Sequence, residues 1–312
     1  MDPVYTPPAL SITLRKNSEK QVKEFLTERY EKPFIYDYDL GPNTYRGMDY
    51  YDYIYVFNSN GNKYLIKFSS DSPFVDNIKN EWNIYEELYK LEDNSFVLQG
   101  VDGGTYGKYA YLILPFVEAK TLREALIETV SYRNTNSLNN YDNTIKNHIM
   151  PTLTSVANHL QYMYNNNICH GDMHWDNVLL TTEGVKIIDF DKSGKCSDPI
   201  TLGNKNNRNL DNKNIGNRKE VRSDYNFTGA PYNMDSGFFI MCIKVFEYLK
   251  MTIHVKKIQD IIHTYIKSKH TKEDIEAAYS SVKRVLANVP KGGRRTRQST
   301  RRKLKRRVTS SK

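Results

Sequence analysis

The run "CHGDMHWDNVLL" (Cys169–Leu180) constrains this chain more than any other stretch. It sets two histidines, two aspartates and an asparagine within eight residues, directly before an apolar run. Asn177 follows Asp172 by five residues, and Asp189, inside "VKIIDFD" (185–191), follows Asn177 by twelve. The two apolar runs predict a short hairpin that carries Asn177 at one open end and Asp189 at the other.

Oxygen donors so placed suit a hard divalent ion such as Mg²⁺, which keeps several of its waters. A further carboxylate of the set could orient an attacking hydroxyl and accept its proton. This is the group set that phosphoryl transfer from ATP requires. Two other readings compete. The loop could be a polar surface turn. Alternatively Cys169, His170 and His174 could bind zinc with help from Cys196. However, the histidines precede a strand, not a regular helix, and no Cys-x-x-Cys pair completes a tetrahedron.

"HGDMHWDNVLL…VKIIDFD" resembles the catalytic and metal-binding loops of the protein-kinase-like superfamily, and the likeness extends over residues 30–285. The resemblance implies Asp172 as catalytic base, Asn177 and Asp189 as Mg²⁺ ligands, and His170 as a structural residue beneath Phe190. It also implies a lysine on the third strand, which "KYLIKF" supplies as Lys67. A helix glutamate should hold that lysine near the phosphates, and Glu81 heads "EWNIYEEL". Glu86 and Glu87 fall on a different face and read as solvated charges. "YLILPFVEAKTL" (111–122) is similar to the hinge of such folds: Leu114 would sit behind the nucleotide, with backbone groups of Pro115 and Val117 offered to the adenine edge. Proline suffices at 115, where only a carbonyl is needed. Asp235 in "NMDSGFF" resembles the helix aspartate that ties down the catalytic loop.

The chain also departs from that pattern. "LGPNTYRG" offers Gly41 and Gly47 for phosphate contact but not G-x-G-x-x-G. His174 stands where Ser/Thr kinases carry a lysine, as in atypical kinases and relatives of aminoglycoside and choline kinases. Asp191 replaces the third-position glycine of the metal loop, and no Ala-Pro-Glu follows. Asp176 is either a receiver for a basic substrate residue or a solvated loop charge.

The fold class this implies is α+β with the two-lobe protein-kinase-like architecture: a small antiparallel β-sheet plus helix, then a larger, mainly helical lobe. Residues 1–29 read as an extension with a helix at 19–30. Residues 30–118 form the first lobe, with strands over 34–68, a helix over 72–91, and strand-like runs at "SFVLQGVDGG" and "YAYLILPFVE". Residues 119–290 form the second lobe. It holds a helix at "TLREALIETV" opened by a Thr121–Glu124 capping signal, a polar insertion over 131–144, and a helix ended by Asn165–Asn167. An Asn-rich segment follows at 201–218, then three further helices. Three irregularly spaced cysteines (Cys169, Cys196, Cys242) imply no disulfide framework and fit a reducing compartment.

Net charge is +9, but residues 291–312 hold 11 Lys and Arg and no acid, leaving 34 bases against 36 acids elsewhere. The basicity therefore belongs to a tail, read as disordered and as a polyanion- or nucleic-acid-binding arm or a nuclear address. No apolar run is long enough for a membrane span. The expectation is an atypical serine/threonine protein kinase using ATP and Mg²⁺, with a protein as substrate and the enzyme's own tail among the acceptors. It would be cytoplasmic, with the nucleus or a virion open to it through the tail. The Asn-rich insertions and Gly-Gly-Arg-Arg tail resemble proteins of large DNA viruses. Two alternatives stand beside this: a small-molecule kinase of the aminoglycoside or choline type, and a pseudokinase scaffold acting through the tail.

Overall fold

A computed structural model of the chain describes residues 20–29, 35–38, 54–59, 61–72, 74–135, 138–196, 236–268 and 271–289. Gly41, Gly47, Asp235, the segment 201–218 and the tail 291–312 lie outside these residues. The chain divides into two compact units, 1–122 with 158–241 and 123–157 with 242–312.

The first unit is built on an antiparallel sheet in the order β1-β2-β3-β5-β4. Its strands are β1 (Ile35–Tyr38), β2 (Ile54–Ser59), β3 (Asn62–Ser69), β4 (Asp102–Tyr106) and β5 (Tyr109–Pro115). The β2–β3 hairpin falls where the sequence predicts it, with Asn58 Oδ1 accepting from the Gly61 N–H at 3.1 Å across the turn. Alternation along β2 and β3 sends Tyr55, Phe57, Ile66 and Phe68 into a core shared with Tyr111 and Ile113 of β5. Helix α1 (20–29) adds Val22, Phe25 and Leu26, the i, i+3, i+4 stripe of an amphipathic helix. Each such aromatic side chain contributes about 2–3 kcal/mol by burial.

Helix α2 (Phe74–Tyr89) packs on β3, β4 and β5 through a face of Ile78, Glu81, Ile84, Tyr85 and Leu88. Glu81 is the one charge in that apolar stripe, which marks it for a specific partner. The strand-like run beginning at Ser95 is a correction: Phe96, Val97 and Leu98 are buried, but the strand starts only at Asp102. The Phe96 ring stacks on His159 and its carbonyl accepts from Ile187 N–H at 2.8 Å. These residues are buried as a wedge, and an apolar run looks the same whether wedged or paired.

The same unit carries β6 (Lys120–Thr121), β7 (Ile168–Cys169), β8 (Val178–Thr181), β9 (Gly184–Ile187) and β10 (Gly194–Lys195). They form two small antiparallel sheets, β6-β8-β9 and β10-β7.

The remaining described elements are mainly helices. The polar stretch 131–144, expected as an insertion, is largely helical: α3 (Leu122–Asn134) runs through its start, and α4 (Leu138–Thr144) leads through a π-helical turn (Ile145–Ile149) into α5 (Met150–Asn165). α4 buries none of its residues, so its sequence shows no amphipathic period. It is tethered by the Tyr141 hydroxyl, which donates to the Leu249 carbonyl at 3.0 Å. α6 (Ser236–Tyr248), α7 (Thr252–Ile266) and α8 (Lys272–Ala287) follow, the last opened by a reciprocal Thr271–Asp274 capping box. The fold is α+β, an antiparallel sheet with helices followed by a mainly helical region.

Candidate active site

The β8–β9 hairpin pairs Val178 with Ile187 and so brings the residues flanking it together. The Asn177 carbonyl accepts from the Ile188 N–H at 3.1 Å, one residue before Asp189. The Asn177 side chain is buried and donates through Nδ2 to the Asp172 carbonyl at 3.0 Å. That bond fixes the orientation of the amide. Asp172 itself is exposed.

His170 is fully buried and organises the loop through both nitrogens. Nδ1 accepts from the Asp172 N–H at 3.3 Å, which leaves the ring proton on Nε2 to donate to the Ile188 carbonyl at 3.0 Å. Its ring lies 5.0 Å from that of Phe190, and Tyr85 of α2 meets Phe190 edge-on at 5.2 Å. The resulting column of rings ties the catalytic loop, the metal loop and α2 together.

Lys67 projects from β3 into this junction. Its Nζ lies 2.6 Å from Glu81 Oε2 and 2.7 Å from Asp189 Oδ1. Burial pushes the Glu81 carboxyl up to about 7 against the opposing pull of Lys67, and the charge of Asp189 adds to the rise. For Asp189 burial also acts upward, but the Lys67 ammonium and its hydrogen bond, with His170 and His174 beyond, hold the carboxyl below its usual range. Asp189 sits at φ 67°, the left-handed region uncommon for a residue with a side chain, so the strain falls on the carboxylate that Lys67 holds. Glu86 is exposed and Glu87 pairs with Lys195, so Glu81 alone of the three takes the lysine.

Gly171 is forced by packing. At φ 79°, any Cβ there would lie 2.2 Å from the Lys192 carbonyl oxygen. The catalytic and metal loops thus touch backbone to backbone. Gly237 at the start of α6 plays a similar part, since a Cβ would come within 2.6 Å of the Met173 carbonyl oxygen.

Pro115 faces Tyr64, and the adjacent Phe116 N–H donates to the Lys63 carbonyl at 2.9 Å. Residue 115 therefore occupies a register position where no N–H is needed and the carbonyl points away from β3. The Val117 N–H has no partner among the described residues. His174 caps the 3₁₀ turn Trp175–Asn177, its Nδ1 accepting from the Asp176 N–H at 3.2 Å. The Asp176 side chain is 17% accessible, not a solvated charge.

A family model described as the protein kinase domain matches residues 54–209, half of the chain. The chain belongs to the protein kinase domain family. No curated protein matches it. A crystal structure of a kinase domain matches with 17% identity and a TM-score of 0.37, over 53% of this chain and 52% of its own length. The chain thus spans about half the length of that solved structure.

In this protein kinase domain the donor set fits the Mg²⁺-ATP that the family implies. Asn177 and Asp189 offer hard oxygens, Lys67 an ammonium held by two carboxylates, and Pro115 and Val117 a carbonyl and an N–H at the end of β5. Helices among the described residues include none long and apolar enough to cross a membrane.

The cysteines are a correction. Cys169, just before His170, and Cys196 are joined in a disulfide with Cα atoms 5.2 Å apart. The β7–β10 ladder juxtaposes them by pairing Gly194 with Cys169 and Lys195 with Ile168, a contact that spacing along the chain does not reveal. The bonded sulfurs leave no thiolate for the zinc alternative, and no cluster of three metal-ligating side chains occurs among the described residues.

Proposed function

We propose that this chain is an atypical protein kinase that transfers a phosphoryl group from Mg²⁺-ATP to Ser or Thr hydroxyls of proteins. The observation that carries the reading is Lys67 Nζ held between Glu81 Oε2 and Asp189 Oδ1, while Asp172 is exposed on a loop whose backbone His170 and Asn177 hold. A scaffold that had lost catalysis would have no need to keep a lysine, two carboxylates and a strained Asp189 in register.

Bound Mg²⁺-ATP supplies the transferable phosphoryl group and the divalent charge that steadies it. Glu81 orients Lys67 toward the phosphates. Asp189 and the Asn177 amide oxygen hold the metal ion. Asp172 orients the acceptor hydroxyl and takes its proton, while Asn177 and His170 fix the backbone on either side of it. Pro115 and Val117 meet the adenine edge.

His174 and Asp191, in place of the usual lysine and glycine, support the atypical assignment. The Asn-rich segment and basic tail support a source among large DNA viruses and a cytoplasmic protein to which the tail opens the nucleus or a virion. A protein acceptor is favoured over a small cationic one because 201–218 carries Lys205, Arg208, Lys213 and Arg218 and only one acid. Thr309, Ser310 and Ser311, downstream of Arg306 and Arg307, are the acceptors expected in the tail.

The test is incubation with labelled ATP and Mg²⁺, with and without a generic protein substrate, followed by mass spectrometry. Phosphate on Ser or Thr, absent in Asp172→Asn, supports the proposal. Rapid turnover of choline or an aminoglycoside with no modified protein would establish the small-molecule kinase instead.

A further inference from the structure

The segment from Asp191 to Cys196 is the part of the metal loop least like the family pattern, since Asp191 stands in the glycine position. One side chain of α2 reaches it. Asn80 Nδ2 donates to the Asp191 carbonyl at 3.0 Å and to the Ser193 carbonyl at 2.9 Å, spending both of its N–H groups on the same turn. Ser193 is buried and doubly held in addition: its N–H donates to the Phe190 carbonyl at 3.0 Å, and its hydroxyl to the His170 carbonyl at 2.8 Å. Asn80 is thus the α2 end of a chain of hydrogen bonds that passes through Ser193 to the catalytic loop.

The position along α2 matters. Asn80 immediately precedes Glu81, so the turn of helix that anchors Lys67 also anchors the stretch just after Asp189. Two turns on, Glu87 falls on the same face and pairs with Lys195 at 2.6 Å. That pair is half-exposed at both ends, and such surface pairs add little. The two bonds from Asn80 to backbone carbonyls are therefore the stronger tie.

We propose that Asn80 is a positioning residue: it fixes the metal loop relative to Glu81 and Lys67, and so sets the orientation of Asp189 toward the metal ion. The proposal rests on the phosphoryl-transfer reading for its consequence but not for its geometry. Asp189 holds a left-handed conformation, and a chain in that state needs fixed neighbours. Phe190 is fixed by its ring contacts. Asn80 fixes the residues beyond it.

The test uses the full chain with Asn80→Ala and the isosteric Asn80→Asp, which turns a carboxylate toward two carbonyls. Calorimetry is run with ATP in the presence and absence of Mg²⁺, and hydrogen exchange is followed over 189–196 and over the β8–β9 hairpin as an internal reference. Mg²⁺-ATP affinity is expected to fall about tenfold in Asn80→Ala and further in Asn80→Asp, with Mg²⁺-free ATP binding little changed. Exchange is expected to quicken in 189–196 and not in 178–187. Lowered thermal stability with unchanged Mg²⁺ dependence and unchanged exchange in 189–196 would reduce Asn80 to a structural role and overturn the proposal. If the wild-type chain binds no nucleotide, the functional reading fails, and the exchange comparison still decides whether Asn80 holds the loop.

Discussion

The ammonium of Lys67 stands 2.6 Å from Glu81 Oε2, while Glu81 Oε1 is buried with no hydrogen-bond partner among the described residues. The carboxyl is held near 7, chiefly by burial. This exceeds the unfolded value of about 4.3. The folded state therefore keeps the extra proton, and the stability this contributes is present below the unfolded value and lost as pH rises through about 7. On the proposed function activity runs the opposite way, because only the ionised carboxylate would orient Lys67. The pH–rate profile of phosphotransfer should rise through about 7, and Glu81→Gln should abolish that limb and leave a low, flat rate. A limb that survives in the variant belongs to another group.

Asp172 and Asp189 should separate under mutation. Asp172→Asn is expected to lower turnover by about 100-fold or more with nucleotide affinity nearly intact, since the base acts on the acceptor. Asp189→Asn should weaken Mg²⁺-ATP binding as well, because it removes a metal ligand. Steady-state kinetics beside calorimetry distinguish the two; full activity in either variant contradicts the assignment.

Gly171→Ala should be costly for a reason that a control can isolate. Gly184 also has a positive φ, +126°, but nothing lies within 4 Å of a Cβ there, whereas at Gly171 the Lys192 carbonyl oxygen lies at 2.2 Å. Gly184→Ala should cost about 1 kcal/mol, and Gly171→Ala about 3 kcal/mol or more. Denaturant midpoints measure both. Equal losses would mean that the two loops can part without penalty.

The Cys169–Cys196 bond closes a segment with a sequence separation of 27 that contains Asp172, Asn177 and Asp189. Chain entropy assigns such a closure about 3.5 kcal/mol. Under denaturing, non-reducing conditions an alkylating reagent should label only Cys242; after reduction it should label all three cysteines. Reduction should also lower the melting temperature. Three labels without reductant would show that the bond is not made.

The candidate set was legible in the sequence because the proposed chemistry is confined to a few side chains at fixed separations. Asp172, Asn177, Asp189, Lys67 and Glu81 are residue types that the proposed reaction demands, and local patterns carry them: a strand for Lys67, a helix for Glu81, and the loops around the β8–β9 hairpin for the rest. What supports them was less legible. Asn80 looks like any polar residue on a helix, and its role comes from carbonyls more than a hundred positions away in sequence. Gly171 was visible as part of a motif, but the Lys192 carbonyl that excludes a side chain was not. The Cys169–Cys196 bond follows from a two-residue ladder too short to leave a pattern. The run from Ser95 failed because apolar composition records burial and not the way burial is achieved. The helical stretch at 138–144 failed because it buries nothing.

Asn177 and Asp189 are held together by the pairing of Val178 with Ile187, while the exposed residues Thr182 and Glu183 form only the tip of that hairpin. The twelve-residue interval between the two proposed metal ligands is therefore a property of the tip and not of the chemistry. A relative with a longer β8–β9 hairpin would keep the ion-binding geometry while escaping any search that fixes the interval. For the same reason a short reporter peptide spliced between Thr182 and Glu183 would leave the site unaltered, whereas a single residue added between Ile187 and Asp189 would turn the carboxylate away from it.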